Sequence, residues 1–298
     1  MKDLKTVLGP MRLPFLILPP ACVLLGVGTA LWTQGEIRVL HAVIAFLGAV
    51  AAHISVNALN EYYDYKSGLD FRTRPTPFSG GSGTLPATPE AARTALITGL
   101  VTLGLTALVG IYFLAVWGLA LLPLGLLGLV VIFTYTNWIT RSPLLCLIAP
   151  GLGFGTFMVM GTDFVLSGGY SWSAFVASLV PFFLVSNLLL LNQFPDVEAD
   201  RGVGRRHYPI LIGRKASSVI YGAFLLATYL SIVAGWALGV LPAWALLGLA
   251  TLALAVPTAV AAYRYADNLE RLAPYLGFNV ILTVLTPLLV AIGLLIAA

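Results

Sequence analysis

RVLHAVIAFLGAVAAHISVNALNEYYDYKSGLD, residues 38–70, joins two kinds of sequence in one segment. Its first part, residues 38–59, is predominantly apolar and 22 residues long, and a helix needs about 20 such residues to cross a bilayer core. The remainder turns abruptly polar, with Asn60, Glu61, Asp64, Lys66 and Asp70. Such a segment is a membrane helix that delivers amides and carboxylates to one edge of the bilayer.

Outward from this stretch, eight further apolar runs of span length lie near residues 14–32, 92–113, 116–136, 143–165, 172–193, 217–237, 242–263 and 275–297. Of 298 residues, 59% are hydrophobic and only 9% charged, against about 25% charged in a soluble domain. The mean hydropathy is +0.95. Too few charges exist to cover a water-facing surface, which excludes a soluble globule. Disorder is excluded too, because it needs low hydrophobicity and high charge. The runs lack the alternation of a membrane β-barrel. The expected fold is an all-α polytopic membrane bundle of nine transmembrane helices, with residues 1–298 forming one domain. The run at 14–32 lacks a small-residue cleavage site and reads as a retained helix. Cys22 and Cys146 sit in apolar runs, as small buried hydrophobes. A net charge of +4 is too small to argue for nucleic acid.

Charge placement orients the chain. With a cytoplasmic N-terminus, 15 of the 16 basic residues fall on the cytoplasmic side, and only Arg38 lies opposite. That is the positive-inside pattern. Ten of the 12 acidic residues fall on the same side, leaving Glu36 and Asp163 outside. Positive-inside bias does not recruit carboxylates, so another demand has gathered acid and base at one face.

The acids concentrate in two matching places. NALNEYYDYKSGLD closes the second run, and NQFPDVEADRGVGRR, from Asn192, closes the sixth. Both contain Asn-x-x-x-Asp, as Asn60 with Asp64 and Asn192 with Asp196. An i,i+4 spacing puts both side chains on one helix face, and Asp200 continues that face if the second helix persists. The motifs lie four spans apart and emerge on the same side, as a weak internal repeat of a helical unit. Clustered oxygen ligands suit a hard cation. Mg²⁺ takes one or two carboxylates plus waters and substrate phosphates, so two facing sets could hold Mg²⁺ ions bridging a diphosphate. Lys66, Arg72, Arg74, Arg141, Arg205 and Arg206 stand nearby to balance phosphate charge. The pattern does not suit zinc, because no Cys/His cluster exists and the histidines are His41, His53 and His207.

Between the second and third runs, FRTRPTPFSGGSGTLPATPEA (71–91) forbids a regular helix. Gly80, Gly81 and Gly83 let backbone amides approach phosphate. With DRGVGRRHYPILIGRKAS (200–217), this loop is expected to cap a shared cavity. Tyr62, Tyr63, Tyr65, Tyr135 and Trp138 cluster near the same interface, either as an aromatic belt or as a lining that shelters a carbocation. The GLGFG run at 151–155 permits close helix packing.

These motifs resemble the UbiA superfamily of intramembrane prenyltransferases over nearly the whole chain. NEYYDYKSGLD, with Gly68 and Asp70, and TPFSGGSG at 76–83 are most similar to the branch that prenylates 1,4-dihydroxy-2-naphthoate in menaquinone synthesis. The resemblance implies Mg²⁺-dependent transfer of a polyprenyl group from its diphosphate to a small aromatic acceptor. It implies metal-diphosphate binding by Asn60, Asp64, Asp70, Asn192, Asp196 and Asp200. Lys66, Arg141 and Arg206 would contact diphosphate oxygens, and Asp64, Asp196, Lys66 and Arg141 would carry catalysis. It further implies a bacterial or archaeal inner membrane with the active site on the cytoplasmic face. Three segments depart from the branch: Glu61 replaces Asp, and GRRHYPILIG and TNWITRSP differ from the usual runs. Other acceptors stay open (a hydroxybenzoate, homogentisate or a glycerol phosphate), as does cyclisation of the prenyl chain. An ion-coupled transporter or lipid-phosphate flippase is the reading from another class, although its site belongs near the midplane.

Overall fold

The computed structural model describes residues 4–73 and 80–298, and every regular element among them is helical. In chain order the main helices are α1 Leu13–Gln34, α2 Val39–Ser67, α3 Ala91–Trp117, the shorter α4 Leu119–Thr134, α5 Pro143–Ser167, α6 Trp172–Asn192, α7 Gly213–Ala237, α8 Ala243–Arg264 and α9 Leu269–Ala297. Eight of them, all but α4, are long and apolar enough to cross a membrane. Each expected run falls on one of these helices. The largest change is in α2, which continues to Ser67 and so carries Asn60 and Asp64 within the helix. Gly68, at φ +79°, then ends it in a left-handed cap that glycine adopts without strain.

α4 departs from the expected span length. At about 1.5 Å per residue its 16 residues rise roughly 24 Å, short of a hydrocarbon core of about 30 Å. Its two ends are nevertheless tied to different parts of the bundle. At its start, the Tyr170 hydroxyl donates to the Ala120 carbonyl at 3.0 Å. Just past its end, Asn60 Nδ2 donates to Thr136 Oγ1 at 3.1 Å. No residue of Leu122–Thr134 is buried, so this helix is a loosely packed wall.

The packed centre lies among α1, α6, α7, α8 and α9, around Leu25, Leu184, Leu191, Tyr221, Ile232 and Leu294. Hydrogen bonds tie these helices where hydrophobic attraction between lipid-immersed helices is weak. Asn187 Nδ2 donates to the Tyr221 carbonyl at 2.8 Å, and the Tyr221 hydroxyl donates to Asn279 Oδ1 at 2.9 Å. α5 carries a π-helical turn at Leu152–Phe157. Here the expected close packing is present: a Cβ on Gly155 would lie 2.5 Å from the Phe182 backbone nitrogen of α6, and one on Gly151 would strike the Phe182 carbonyl.

The second acidic motif does not continue a helix. α6 stops at Asn192, the chain turns through 193–196, and a separate short helix spans Val197–Gly202. Pro195 is the reason, since proline lacks the amide hydrogen and disfavours helical geometry in the residue before it. Asp196 and Asp200 are therefore placed by a turn and a short helix, and only the first motif has its pair on one α-helical face.

Candidate active site

Where α2 and α6 end, their polar residues line the mouth of a cavity of about 560 Å³. Asn60, Asp64 and Asp70 come from the α2 side, and Asn192, Asp196 and Asp200 from the α6 side. The fold thus brings together all six of the sequence-predicted amides and carboxylates. Asp70 stands on a short 3₁₀ turn, Leu69–Phe71, directly after the Gly68 cap.

Arg205 joins the two sides. Its Nη2 donates to Asp64 Oδ1, and its Nη1 donates to Asp200 Oδ1 at 2.9 Å. Burial works against the guanidinium charge, yet Asp64 and Asp200 raise its pKa and keep it protonated. His207 Nε2 lies 2.9 Å from Asp200 Oδ2. Burial alone would raise the Asp200 pKa, but the His207 hydrogen bond and the Arg205 charge hold it below the usual carboxylate range. Asp70 goes the other way: burial first, then the charges of Asp64 and Glu61, push it up to about 7 against the pull of Arg12 and Arg205.

A further buried carboxylate, Glu61, fastens the cap. Glu61 accepts from Arg12 Nε, from the Ser82 backbone N–H and from the Ser82 hydroxyl, each at 2.7 Å. Gly81, at φ +69°, presses its backbone onto this cluster; a Cβ there would stand 3.0 Å from Asp70 Oδ1. Arg72 Nη1 donates to the Gly202 carbonyl at 3.0 Å, joining the loop after α2 to the one after α6. The Arg206 backbone N–H docks the latter on the Thr140 carbonyl at 2.9 Å.

Three predicted cations stand elsewhere. Lys66, Arg141 and Arg206 are exposed and do not line the cavity. Lys66 follows Asp64 by two residues, about 200° around the helix, and its ammonium lies over the Tyr62 ring at 5.8 Å. Arg205, grouped with nearby cations but given no role of its own, is the one turned inward. Arg12 also lines the cavity, and neither it nor His207 was singled out. Arg205 and Arg206 are adjacent in an irregular loop, where no periodicity tells which faces in. Of the five interfacial aromatics only Tyr135 lines the cavity; Phe15, Phe113, Phe154 and Phe157 supply its other aromatic walls. Arg74 and residues 76–79 of TPFSGGSG lie outside the described residues.

The donor set suits a hard cation. Asp70 Oδ2 and Asn192 Oδ1 are buried at the mouth without hydrogen-bond partners among the described residues. No three His, Cys, Asp or Glu side chains among those residues already converge as a closed cluster. An oxygen-rich, incomplete shell fits Mg²⁺, which keeps waters and takes ligands from phosphate, better than a metal held by protein alone.

Below the mouth the walls become apolar: Ala49, Ala52 and Val56 on α2, Leu124 and Gly128 on α4, and Phe157 and Met158 on α5. From Asp64 to Ala45, both cavity-lining, α2 rises about 28 Å. The channel is therefore almost as deep as a hydrocarbon core. Fold and site define an integral membrane protein that offers a charged head group an oxygen-rich mouth and a long apolar tail a buried channel.

The chain belongs to the UbiA prenyltransferase family, whose model matches residues 20–283. It is accordingly a transferase of prenyl groups. It is 30% identical over 189 residues to 1,4-dihydroxy-2-naphthoate octaprenyltransferase of Bacillus subtilis, a match spanning 60% of this chain and 57% of that relative. It is 25% identical over 232 residues to digeranylgeranylglyceryl phosphate synthase of Thermococcus kodakarensis, covering 75% of this chain and 78% of the other. Among solved structures, a UbiA homologue from Aeropyrum pernix superposes with a TM-score of 0.68 at 18% identity, over 95% of this chain and 98% of that one. A UbiA homologue from Archaeoglobus fulgidus bound to GPP and Mg²⁺ superposes at 0.59 with 16% identity, over 96% and 99%.

Proposed function

We propose that this protein transfers a polyprenyl group from its diphosphate to a small aromatic acceptor with Mg²⁺, and that the acceptor is 1,4-dihydroxy-2-naphthoate, as in menaquinone synthesis. The observation that carries this reading is the single cavity in which facing Asn and Asp sets open onto an apolar channel of membrane depth. In it Asn60, Asp64, Asp70, Asn192, Asp196 and Asp200 bind the metal-diphosphate. When bound, Mg²⁺ supplies positive charge to the leaving diphosphate. Arg205 is the protein's own cation at the mouth, a fixed donor where negative charge develops. Lys66, Arg141 and Arg206, being exposed, serve attraction of the anionic head group rather than contact within the cavity. The apolar walls keep water from the allylic carbon as its C–O bond to diphosphate breaks; the acceptor ring carbon bonds to it and gives up its own substituent, a proton or, at the carboxyl-bearing carbon, CO2.

We read α4 as a ninth crossing, because despite its 16 residues it meets the α5–α6 connection at Ala120 and the polar part of α2 at Thr136. With nine spans the basic loops and the acidic mouth share the cytoplasmic face. The naphthoate reading rests on the Bacillus relative and on the segment NEYYDYKSGLD. The Thermococcus relative makes glycerol phosphate chemistry the competing outcome. Detergent-purified protein, Mg²⁺, a radiolabelled prenyl diphosphate and 1,4-dihydroxy-2-naphthoate, with EDTA as control, test it. Metal-dependent prenylated naphthoate is expected. Diphosphate release with product only on a glycerol phosphate acceptor would overturn the aromatic assignment, and no release across several prenyl lengths would overturn the metal site as well.

A further inference from the structure

Deep in the cavity an ionisable side chain interrupts the apolar wall. His53 is 4% exposed and lines the cavity from the middle of α2. It shares a face with Asn57, Asn60 and Asp64, at spacings of four, seven and eleven residues. Its Nδ1 is buried without a hydrogen-bond partner among the described residues. Its ring meets Phe154 of the π-helical turn edge-on, with centroids 4.7 Å apart and planes at 79°.

Small residues line the same cavity on both sides. Ala49 and Ala52 line the cavity on the α2 side and Gly153 on the α5 side; a Cβ on Gly153 would meet nothing within 4 Å. An ionisable group inside a membrane span is costly to keep and marks function, and unmet hydrogen-bonding capacity adds to that cost. A prenyl tail is hydrocarbon and cannot meet it. The other substrate can.

The depth fits. From Asn60 to His53 is seven residues, about 10 Å of helix rise. With the diphosphate held by Asn60 and Asp64 as proposed above, the allylic carbon would lie just inside Asn60. A ring carbon in attack position stands about 3–3.5 Å further, and a ring hydroxyl bonds the imidazole over about 2.8 Å. Together with the distance across the ring from the attacked carbon to that hydroxyl, these steps span most of the interval.

We propose that His53 is the hydrogen-bond partner of a ring hydroxyl on the aromatic acceptor, with Phe154 as the apolar wall beside that ring. The inference rests on the prenyl-transfer reading with a hydroxylated aromatic acceptor. A hydroxyl donating to the imidazole has a more electron-rich oxygen and passes that density to the ring carbons ortho and para to it. Those carbons face the allylic electrophile. The imidazole thus orients the acceptor and sharpens its nucleophilic carbon in one contact.

The test compares wild type with H53F, which keeps an aromatic ring and removes the hydrogen bond, and with H53Q, which keeps a polar partner. Acceptors are 1,4-dihydroxy-2-naphthoate and its two monohydroxy analogues, 1-hydroxy-2-naphthoate and 4-hydroxy-2-naphthoate. The readouts are acceptor kcat/KM and the Kd of the labelled prenyl diphosphate with Mg²⁺. H53F is expected to lower kcat/KM for the dihydroxy acceptor about tenfold or more. It should have little further effect on the analogue lacking the contacting hydroxyl, so that the two deletions are non-additive. H53Q should recover part of the loss, and the prenyl diphosphate Kd should stay within about twofold. Additive losses with both analogues, or an equal loss of prenyl diphosphate affinity, would overturn the subsite in favour of simple packing. A wild-type enzyme that prenylates no hydroxylated aromatic would overturn the acceptor assignment and the subsite together, and is recognised without any variant.

Discussion

Replacing Arg205 by methionine is the sharpest test of how the mouth is held together. The guanidinium is 18% exposed and bridges Asp64 at 8% and Asp200 at 3%, so neither carboxylate has much water to fall back on. Removing one partner of a buried ion pair costs about 3–5 kcal/mol. The lower end applies, because either carboxylate can relax by taking a proton; Arg205→Met is expected to destabilise the metal-free protein by about 3 kcal/mol. At roughly 2 °C per kcal/mol for a chain of this size, Tm falls by about 6 °C. Two buried carboxylates without their arginine also form a better cation site. The rise in Tm on adding millimolar Mg²⁺ is therefore larger in the variant than in wild type, while prenyl transfer drops. Thermal unfolding in detergent with and without Mg²⁺ measures both effects, and Arg206→Met, at an exposed neighbour, should stay within about 1 °C. An Arg205→Met protein with unchanged Tm and the same Mg²⁺ increment as wild type would refute the bridging role.

Asp64→Asn and Asp196→Asn should each abolish turnover while leaving a folded protein, checked by diphosphate release beside size-exclusion behaviour; near-full activity in either sinks the two-motif site. Asp70, raised to about 7 by burial and its acidic neighbours, favours its proton in the metal-free fold. That stability is present at low pH and is lost as pH rises through 7. Metal-diphosphate affinity should run oppositely, falling up to about tenfold per pH unit below 7, flattening above 8 and losing this profile in Asp70→Asn, as calorimetric titration between pH 5.5 and 8.5 can show. Gly155→Val forces a branched side chain against the Phe182 backbone, where even a Cβ would sit 2.5 Å from nitrogen. A loss of about 1–3 kcal/mol or more, read as lower Tm and folded yield, is expected, and a wild-type Tm would show that α5 and α6 do not pack this closely.

Much of this protein was legible in its sequence because the bilayer imposes simple demands. Apolar length, backbone satisfaction within each helix and basic residues on one side are local properties, and they located every main helix from residue order alone. The pairs Asn60–Asp64 and Asn192–Asp196 announced an acidic mouth for the same reason: a few residues of spacing and a shared side of the membrane suffice to bring them together.

Facing is a different matter. Whether Arg205 or Arg206 turns inward depends on a loop docked on Thr140, and loops carry no period. The burial of Glu61 depends on Arg12 and Ser82, far away in the chain. Pro195 could be read as a helix breaker, yet only the packed turn shows that Asp196 and Asp200 still reach the same cavity. The 16 residues of α4 are too few to declare a crossing by length; the ground for reading it as one is tertiary, its contacts at Ala120 and Thr136. His53 stands out in sequence as an ionisable residue inside a span but reads as a packed or interfacial side chain; the tertiary structure sets it on the cavity wall with Nδ1 unpartnered among the described residues. Sequence by itself determined the solvent, the helices and the polar edge, because each follows from short-range pattern and hydrophobicity. Only the tertiary structure decided which charges meet and where the channel runs, because those depend on helices brought together from distant parts of the chain.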